Sequence, residues 1–374
     1  MDSPTLFAAV LDHVRGGSFL LRPEVPYTAA RRYLPGTNVL ETTFTTAGGT
    51  VRVTDALTLP DTTSLAPGRE LVRRIEGMAG NVPMLWSVQP RFGYGAHPPH
   101  LACRAGVPVA TCGVEAVAVC AWYAGQPQCT ADSVTARFRA DSGTRALIAL
   151  PYAHQEPLVL PTRAECEARL DHTAATWQKW ADNRTYTGPW REAVLRSALT
   201  LKLLVFAPSG AVAAAATCSL PESVGGERNW DYRFSWIRDS AFTLDAFLKL
   251  GCAPEATSYL WWLMHASQLT HPRLHVLYRL DGGTRAPEHT LPLAGYRSSS
   301  PVRVGNAAAD QLQLDTYGEL MQTAWLYTTA DHRLDADIAR RLTEIADFIC
   351  TVWQEPDAGF WEVRSAPNIS RSPR

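Results

Sequence analysis

Residues 225–251, GGERNWDYRFSWIRDSAFTLDAFLKLG, decide how the chain is read. They join a glycine turn, several aromatics and an Arg–Asp pair to the mouth of an apolar helix. Tyr232, Phe234 and Trp236 offer flat apolar faces, while Asp231, Arg233, Arg238 and Asp239 offer acceptors and forked donors. That mixture suits a pocket that reads hydroxyl groups on a neutral ligand. From Asp239 to Leu250 the sequence is apolar almost all round, which predicts a helix inside a larger assembly rather than on its surface.

Working outward, the two flanks differ in period. Residues 1 to about 160 alternate in short runs: 39–46 and 50–59 around Gly48-Gly49, then 70–77, 83–92, 114–122, 133–139 and 145–152. Short strands at this spacing predict an antiparallel β-sandwich. Residues 161–188 read as a linker helix, with Leu170, Ala174 and Trp177 on one stripe. From 189 to 374 the spacing is helical, with helices predicted at 190–206, 236–250, 254–270, 311–329 and 334–354. The fold class is therefore multidomain, β then α.

Bulk properties narrow the partners. At 374 residues, with 46% hydrophobic and 19% charged residues, the chain has the length of two domains and the composition of a packed protein. A net charge of -1 with no basic block gives no reason to expect nucleic acid or an anionic membrane surface. No window is long and apolar enough for a membrane span, and the start MDSPTLFAAV lacks a signal-peptide pattern, so the cytoplasm is expected. Eight cysteines without a CxxC pair read as reduced thiols; a disulfide among Cys103, Cys112, Cys120 and Cys129 needs oxidising surroundings. His97-Pro-Pro-His100 and the unevenly spaced His265, His271 and His275 match no metal pattern, so neither metal nor cofactor is expected.

The 228–244 segment resembles the signature of glycoside hydrolase family 15, the glucoamylase and bacterial trehalase-like group. Further likeness lies in YRLDG at 278–282, QLDTYGE at 313–319 and DAGFWEVR at 357–364. The resemblance implies an (α/α)6 toroid and inverting acid/base hydrolysis of an α-linked glucoside, such as trehalose or a maltooligosaccharide. It also implies that Glu362 is the general acid and that Arg238 and Asp239 grip sugar hydroxyls. The residues support these roles physically. Glu362 follows two aromatics and a Pro356–Gly359 turn, and a carboxylate beside a guanidinium can bracket vicinal hydroxyls.

Other positions keep two readings. Trp236 and Trp361 serve as walls for a sugar ring or as ordinary core. Tyr278 lines a subsite or belongs to a glycine turn, and Asp315 binds hydroxyls or stabilises a helix entry. Asp231 and Arg233 contact sugar or brace the loop as an ion pair. The chain is expected to be truncated at both ends: it supplies too few helices for six pairs, and SAPNISRSPR departs from the family pattern as a frame shift would. The second catalytic carboxyl, the base, is expected to be missing. The alternative is a non-catalytic carbohydrate-binding or structural fragment. Oligomeric state is not readable from the sequence.

Overall fold

The computed structural model describes residues 2–60, 68–330, 332–359 and 362. The chain divides into two compact units, Pro4–Asp182 and Met1–Ser3 with Asn183–Arg374.

In the first unit, twelve strands form one antiparallel sheet. They are β1 (Ser18–Pro23), β2 (Tyr27–Tyr33), β3 (Leu40–Thr46), β4 (Gly49–Leu57), β5 (Glu70–Gln89), β6 (His100–Arg104), β7 (Val107–Cys112), β8 (Glu115–Ala118), β9 (Cys120–Trp122), β10 (Gln128–Cys129), β11 (Val134–Asp141) and β12 (Arg145–His154). The main path runs β2-β3-β4-β5-β12-β8-β7-β6 and branches at β5. Residues 70–77 and 83–92, expected as separate runs, belong largely to this single long strand. Its first half pairs with β4 and β12, and its second half with β1 and β11. The change of partners falls where the backbones crowd. A Cβ at Gly80, which has a φ of +66°, would stand 2.0 Å from the Gly48 carbonyl oxygen. Val82, Met84, Trp86 and Val88 then alternate into the core, all fully buried.

Helix α1 (Arg163–Asp182) groups with this sheet unit. Thr162 and Glu165 form a reciprocal capping box at its start, with Oε2 of Glu165 accepting from the Thr162 N–H at 2.7 Å. Its buried stripe is Cys166, Leu170, Thr173, Trp177 and Ala181. Thr173, rather than the expected Ala174, faces inward because its hydroxyl donates to the Arg169 carbonyl and accepts from the Leu59 N–H. The helix is pinned by Glu70 of β5, which takes two bonds from Arg169 at 2.9 and 2.7 Å and one from Thr58 at 2.9 Å.

The second unit holds α2 (Arg191–Leu203), α3 (Ile237–Lys249), α4 (Ala253–Ala266), α5 (Asp315–Thr329) and α6 (Ala336–Val352). These fall close to the expected helices. Helix α3 packs against α4 and α5. It buries Ile237, Ser240, Ala241, Leu244 and Phe247, but Phe242 stands 65% exposed, so α3 is not enclosed on every side among the described residues. Helix α6 starts at Asp335, whose side chain accepts from the Ile338 N–H at 2.8 Å, and turns Ile338, Leu342, Ile345 and Val352 inward. No helix among the described residues is long and apolar enough to cross a membrane.

The Glu70–Arg169 pair gives a direct test. Replacing Arg169 by Met leaves a buried carboxylate short of its cation, and the expected loss is about 3–5 kcal/mol in urea denaturation. Adding Glu70→Gln to that variant recovers part of it, because the stranded charge is then gone.

Candidate active site

The motif enters α3 through two short strand pairs. Asn229–Asp231 pairs with Cys218–Pro221, and Ser235–Trp236 pairs with Leu277–Tyr278. Between them lies a buried ion pair. Asp231 is fully buried and takes Nε and Nη2 of Arg233 at 2.8 Å each, while its Oδ2 also accepts the Gly305 N–H at 3.1 Å. Arg233 donates onward to the Ser3 carbonyl at 2.8 Å. Both residues are thus committed to the loop, the bracing reading of the two.

The bracing aims the next residues. Trp236, only 2% exposed, packs with Tyr232 and Phe234 and precedes the first residue of α3. Its indole Nε1–H donates to Oε1 of Glu362 at 2.9 Å. At the second residue of the helix, Nη2 of Arg238 donates to the same oxygen at 3.0 Å. Nη1 of Arg238 reaches Oδ2 of Asp315 at 3.5 Å and Oε1 of Gln313 at 3.4 Å, and its Nε lies 4.0 Å from Oδ2 of Asp239. Residues from 236–239, 313–315 and 362 therefore meet at one guanidinium.

Glu362 is held by its backbone as well. Its N–H donates to the Gly359 carbonyl at 3.0 Å, and its φ of +52° lies in the left-handed region that costs a residue with a side chain about 1 kcal/mol or more. Just before it, Oδ2 of buried Asp357 accepts the Leu314 N–H at 3.1 Å, and the Ala358 N–H donates to the Leu312 carbonyl at 2.9 Å. These bonds tie the turn carrying Glu362 to the residues that open α5. Asp357 and Gln313 are structural members of the cluster that the sequence did not single out as such.

Two expected residues stand differently. Tyr278 is fully buried, and its hydroxyl contacts Thr270 at 2.9 Å and accepts the His275 N–H at 3.1 Å, so it is not brought to Arg238. Trp361 lies outside the described residues.

The electrostatics follow from one cation among several acids. Burial works against the Arg238 charge, but Glu362, Asp239 and Asp315 outweigh it and hold the guanidinium above its ordinary range. Burial raises the Asp239 carboxyl more than Arg238 and its own backbone N–H lower it, although 48% of that side chain remains exposed at the surface of the cluster. Glu319, one turn after Asp315 on α5, is raised by burial first, then by Asp315. Such a cluster offers acceptors to hydroxyl donors and one guanidinium to a hydroxyl oxygen. Among the described residues no acidic, histidine or cysteine group is arranged to hold a metal ion. A cavity of about 410 Å³ in the sheet unit is lined mainly by apolar side chains such as Leu6, Phe7, Leu71 and Leu150. Its carboxylate, Glu70, is already bonded to Arg169, so converging donors and acceptors are found at Arg238 instead.

The raised carboxyls set a pH dependence. Asp239 and Glu319 hold protons in the folded state at pH values where the unfolded chain has released them. Their contribution to stability therefore falls as pH rises from the ordinary carboxylate range through the raised values, then levels off. Urea midpoints of the wild type and an Asp239→Asn, Glu319→Gln variant, compared across that range, should show the wild type alone losing this increment.

Residues 188–372 match the family model described as glycosyl hydrolases family 15. A trehalase of Thermoplasma acidophilum is 33% identical over 371 residues, covering 98% of this chain and 63% of that protein. A trehalase of Mycolicibacterium smegmatis is 34% identical, covering 98% of this chain and 58% of its own length. The chain thus spans about three-fifths of the length of these curated relatives. Among solved structures, a bacterial glucoamylase complexed with acarbose superposes with a TM-score of 0.61 over 97% of this chain and 61% of its own. At 13% identity that likeness concerns the fold.

Proposed function

Because residues 188–372 belong to glycosyl hydrolases family 15, we propose that this protein hydrolyses an α-linked glucoside by inverting acid/base chemistry. Glu362 is the general acid in this reading. Arg238 and Asp239 clamp the terminal sugar, Asp315 assists them, and Trp236 forms an apolar wall. The carrying observation is that Trp236 Nε1 and Arg238 Nη2 both end on Oε1 of Glu362. With that oxygen fixed by two donors, Oε2 is the one to deliver a proton to the leaving oxygen.

The glucoamylase-like fold neighbour supports reading the helical unit as part of an (α/α)6 toroid. The domain bounds in this reading are 1–160 for a β-sandwich, 161–188 for a linker helix and 189–374 for the toroid part, although α1 itself groups with the sheet unit. Inversion requires a second carboxyl about 6.5–9.5 Å from the first, with water between them. No base is assigned among the described residues. Trehalose is the first substrate to try, given the relatives named trehalase, and maltose the second. The reading places the protein in the cytoplasm, where reduced cysteines are the rule.

The test combines turnover with binding. In the natural protein, Glu362→Gln should lower hydrolysis by about 10²–10⁴ while calorimetry still detects an acarbose-like inhibitor. Arg238→Met should weaken that binding. Wild-type turnover by the Glu362→Gln variant would remove the acid assignment; binding without turnover by the wild type would favour a carbohydrate-binding role instead.

A further inference from the structure

The helix that carries Arg238 starts from a short antiparallel ladder, Ser235 opposite Tyr278 and Trp236 opposite Leu277. Past Trp236 the Ile237 N–H donates to the Val276 carbonyl at 3.2 Å, and α3 begins there. At the other end the chain enters through Arg233 and Phe234 and leaves through Arg279. So short a pairing is marginal by itself and needs that end closed. Residues 2 and 3, which group with the helical unit, close it. The Ser3 carbonyl accepts Nη1 of Arg233 at 2.8 Å, two residues before Ser235. Oδ2 of Asp2 lies 3.1 Å from Nη2 of Arg279, the residue after Tyr278. The Asp2 side chain is only 10% exposed, so water has little access to replace the guanidinium. Pro4 restricts Ser3 to extended backbone, which limits the freedom lost when its carbonyl docks. Arg279 also shapes its own turn: its N–H donates to the Gly283 carbonyl at 2.8 Å, and its Nε lies 3.4 Å from Oδ1 of Asp281. Two adjacent residues thus hold both strands at the same end of the ladder.

We infer that Asp2 is a positioning residue for the proposed hydrolysis: paired with Arg279, it keeps the ladder closed and Trp236 seated on Oε1 of Glu362. It acts through Arg279 and the 277–278 strand rather than on the sugar. Without the pair, the 277–278 strand loosens and the indole that fixes the acid shifts with it. A shift of about 1 Å in a group that orients the chemistry costs up to about 10²-fold in rate. The sugar clamp is less affected, because α3, which bears Arg238 and Asp239, is also held by its packing on α4 and α5. The loss therefore falls on kcat more than on KM. Only this effect on turnover rests on the reading of Glu362 as the acid. The clasp itself rests on distances.

Hydrogen exchange followed by mass spectrometry on the full chain reads the clasp without any substrate. Asp2→Asn and Arg279→Met should each speed exchange in peptides covering 233–237 and 276–279, while peptides from β5 keep wild-type rates. The double variant should exchange no faster than either single one, because both remove the same contact. Asp2→Glu, which keeps the charge, should return most of the protection. In turnover of trehalose or maltose, Asp2→Asn should lower kcat by about 10–10²-fold with KM within about twofold, and Asp2→Glu should recover kcat. Wild-type exchange in both single variants, or additive effects in the double variant, would overturn the inference. So would a raised KM with kcat intact, which would make the pair a sugar contact. Absent turnover by the wild type would instead overturn the proposed function, so the two failures are read separately. Should Asp2→Asn fail to fold, Arg279→Met tests the same contact from its other side.

Discussion

One guanidinium organises the candidate site. Arg238 contacts Glu362, Asp315 and Gln313 and lies beside Asp239, so three stretches far apart in sequence share a single cation. A planar fork with several donors can serve such partners together, which a lysine ammonium could not do with the same geometry. Its position comes from α3, and α3 begins where Trp236 leaves its pairing with Leu277. Below that pairing, the Asp231–Arg233 pair fixes the loop. The motif therefore divides its charges: the first pair is spent inside the fold, and the second stands in the cluster with Glu362 and Asp315.

The same division explains what was legible. Aromatics and opposite charges at the mouth of an apolar helix mark Arg238 and Asp239 in sequence, since side-chain chemistry is written there directly, whereas Glu362 is marked through the resemblance of 357–364 to the family pattern. Asp357 was not marked, because its part is to accept one backbone N–H from Leu314, a partner that folding alone supplies. Tyr278 misled for a related reason: the strand pairing with Ser235 turns it inward, where Thr270 and His275 occupy its hydroxyl. In the sheet unit, alternation located β3, β4, β11 and β12 near their observed bounds. It missed β2, YTAARRY, since every residue there is exposed and no buried face imposes a period of two. It also split β5, because Gly77 and Gly80 look like a turn, whereas they let one strand change partners.

Charge balance at the cluster limits what can bind. Arg238 brings one positive charge, while Asp239, Asp315, Glu319 and Glu362 gather around it, and burial with mutual repulsion raises two of these acids. Each additional negative charge brought to about 4 Å of a carboxylate costs on the order of 1–4 kcal/mol between bulk water and a protein surface. A phosphorylated or carboxylated sugar would pay that more than once, with only one guanidinium, already engaged, to offset it. A neutral sugar meets no such cost. Its hydroxyls donate to the carboxylates and accept from Arg238, and the net charge of -1 over the chain supplies no basic surface to steer an anion there. Such a cluster would select by what it repels as much as by what it holds, and the neutral glucoside proposed above is a ligand class on which both terms agree.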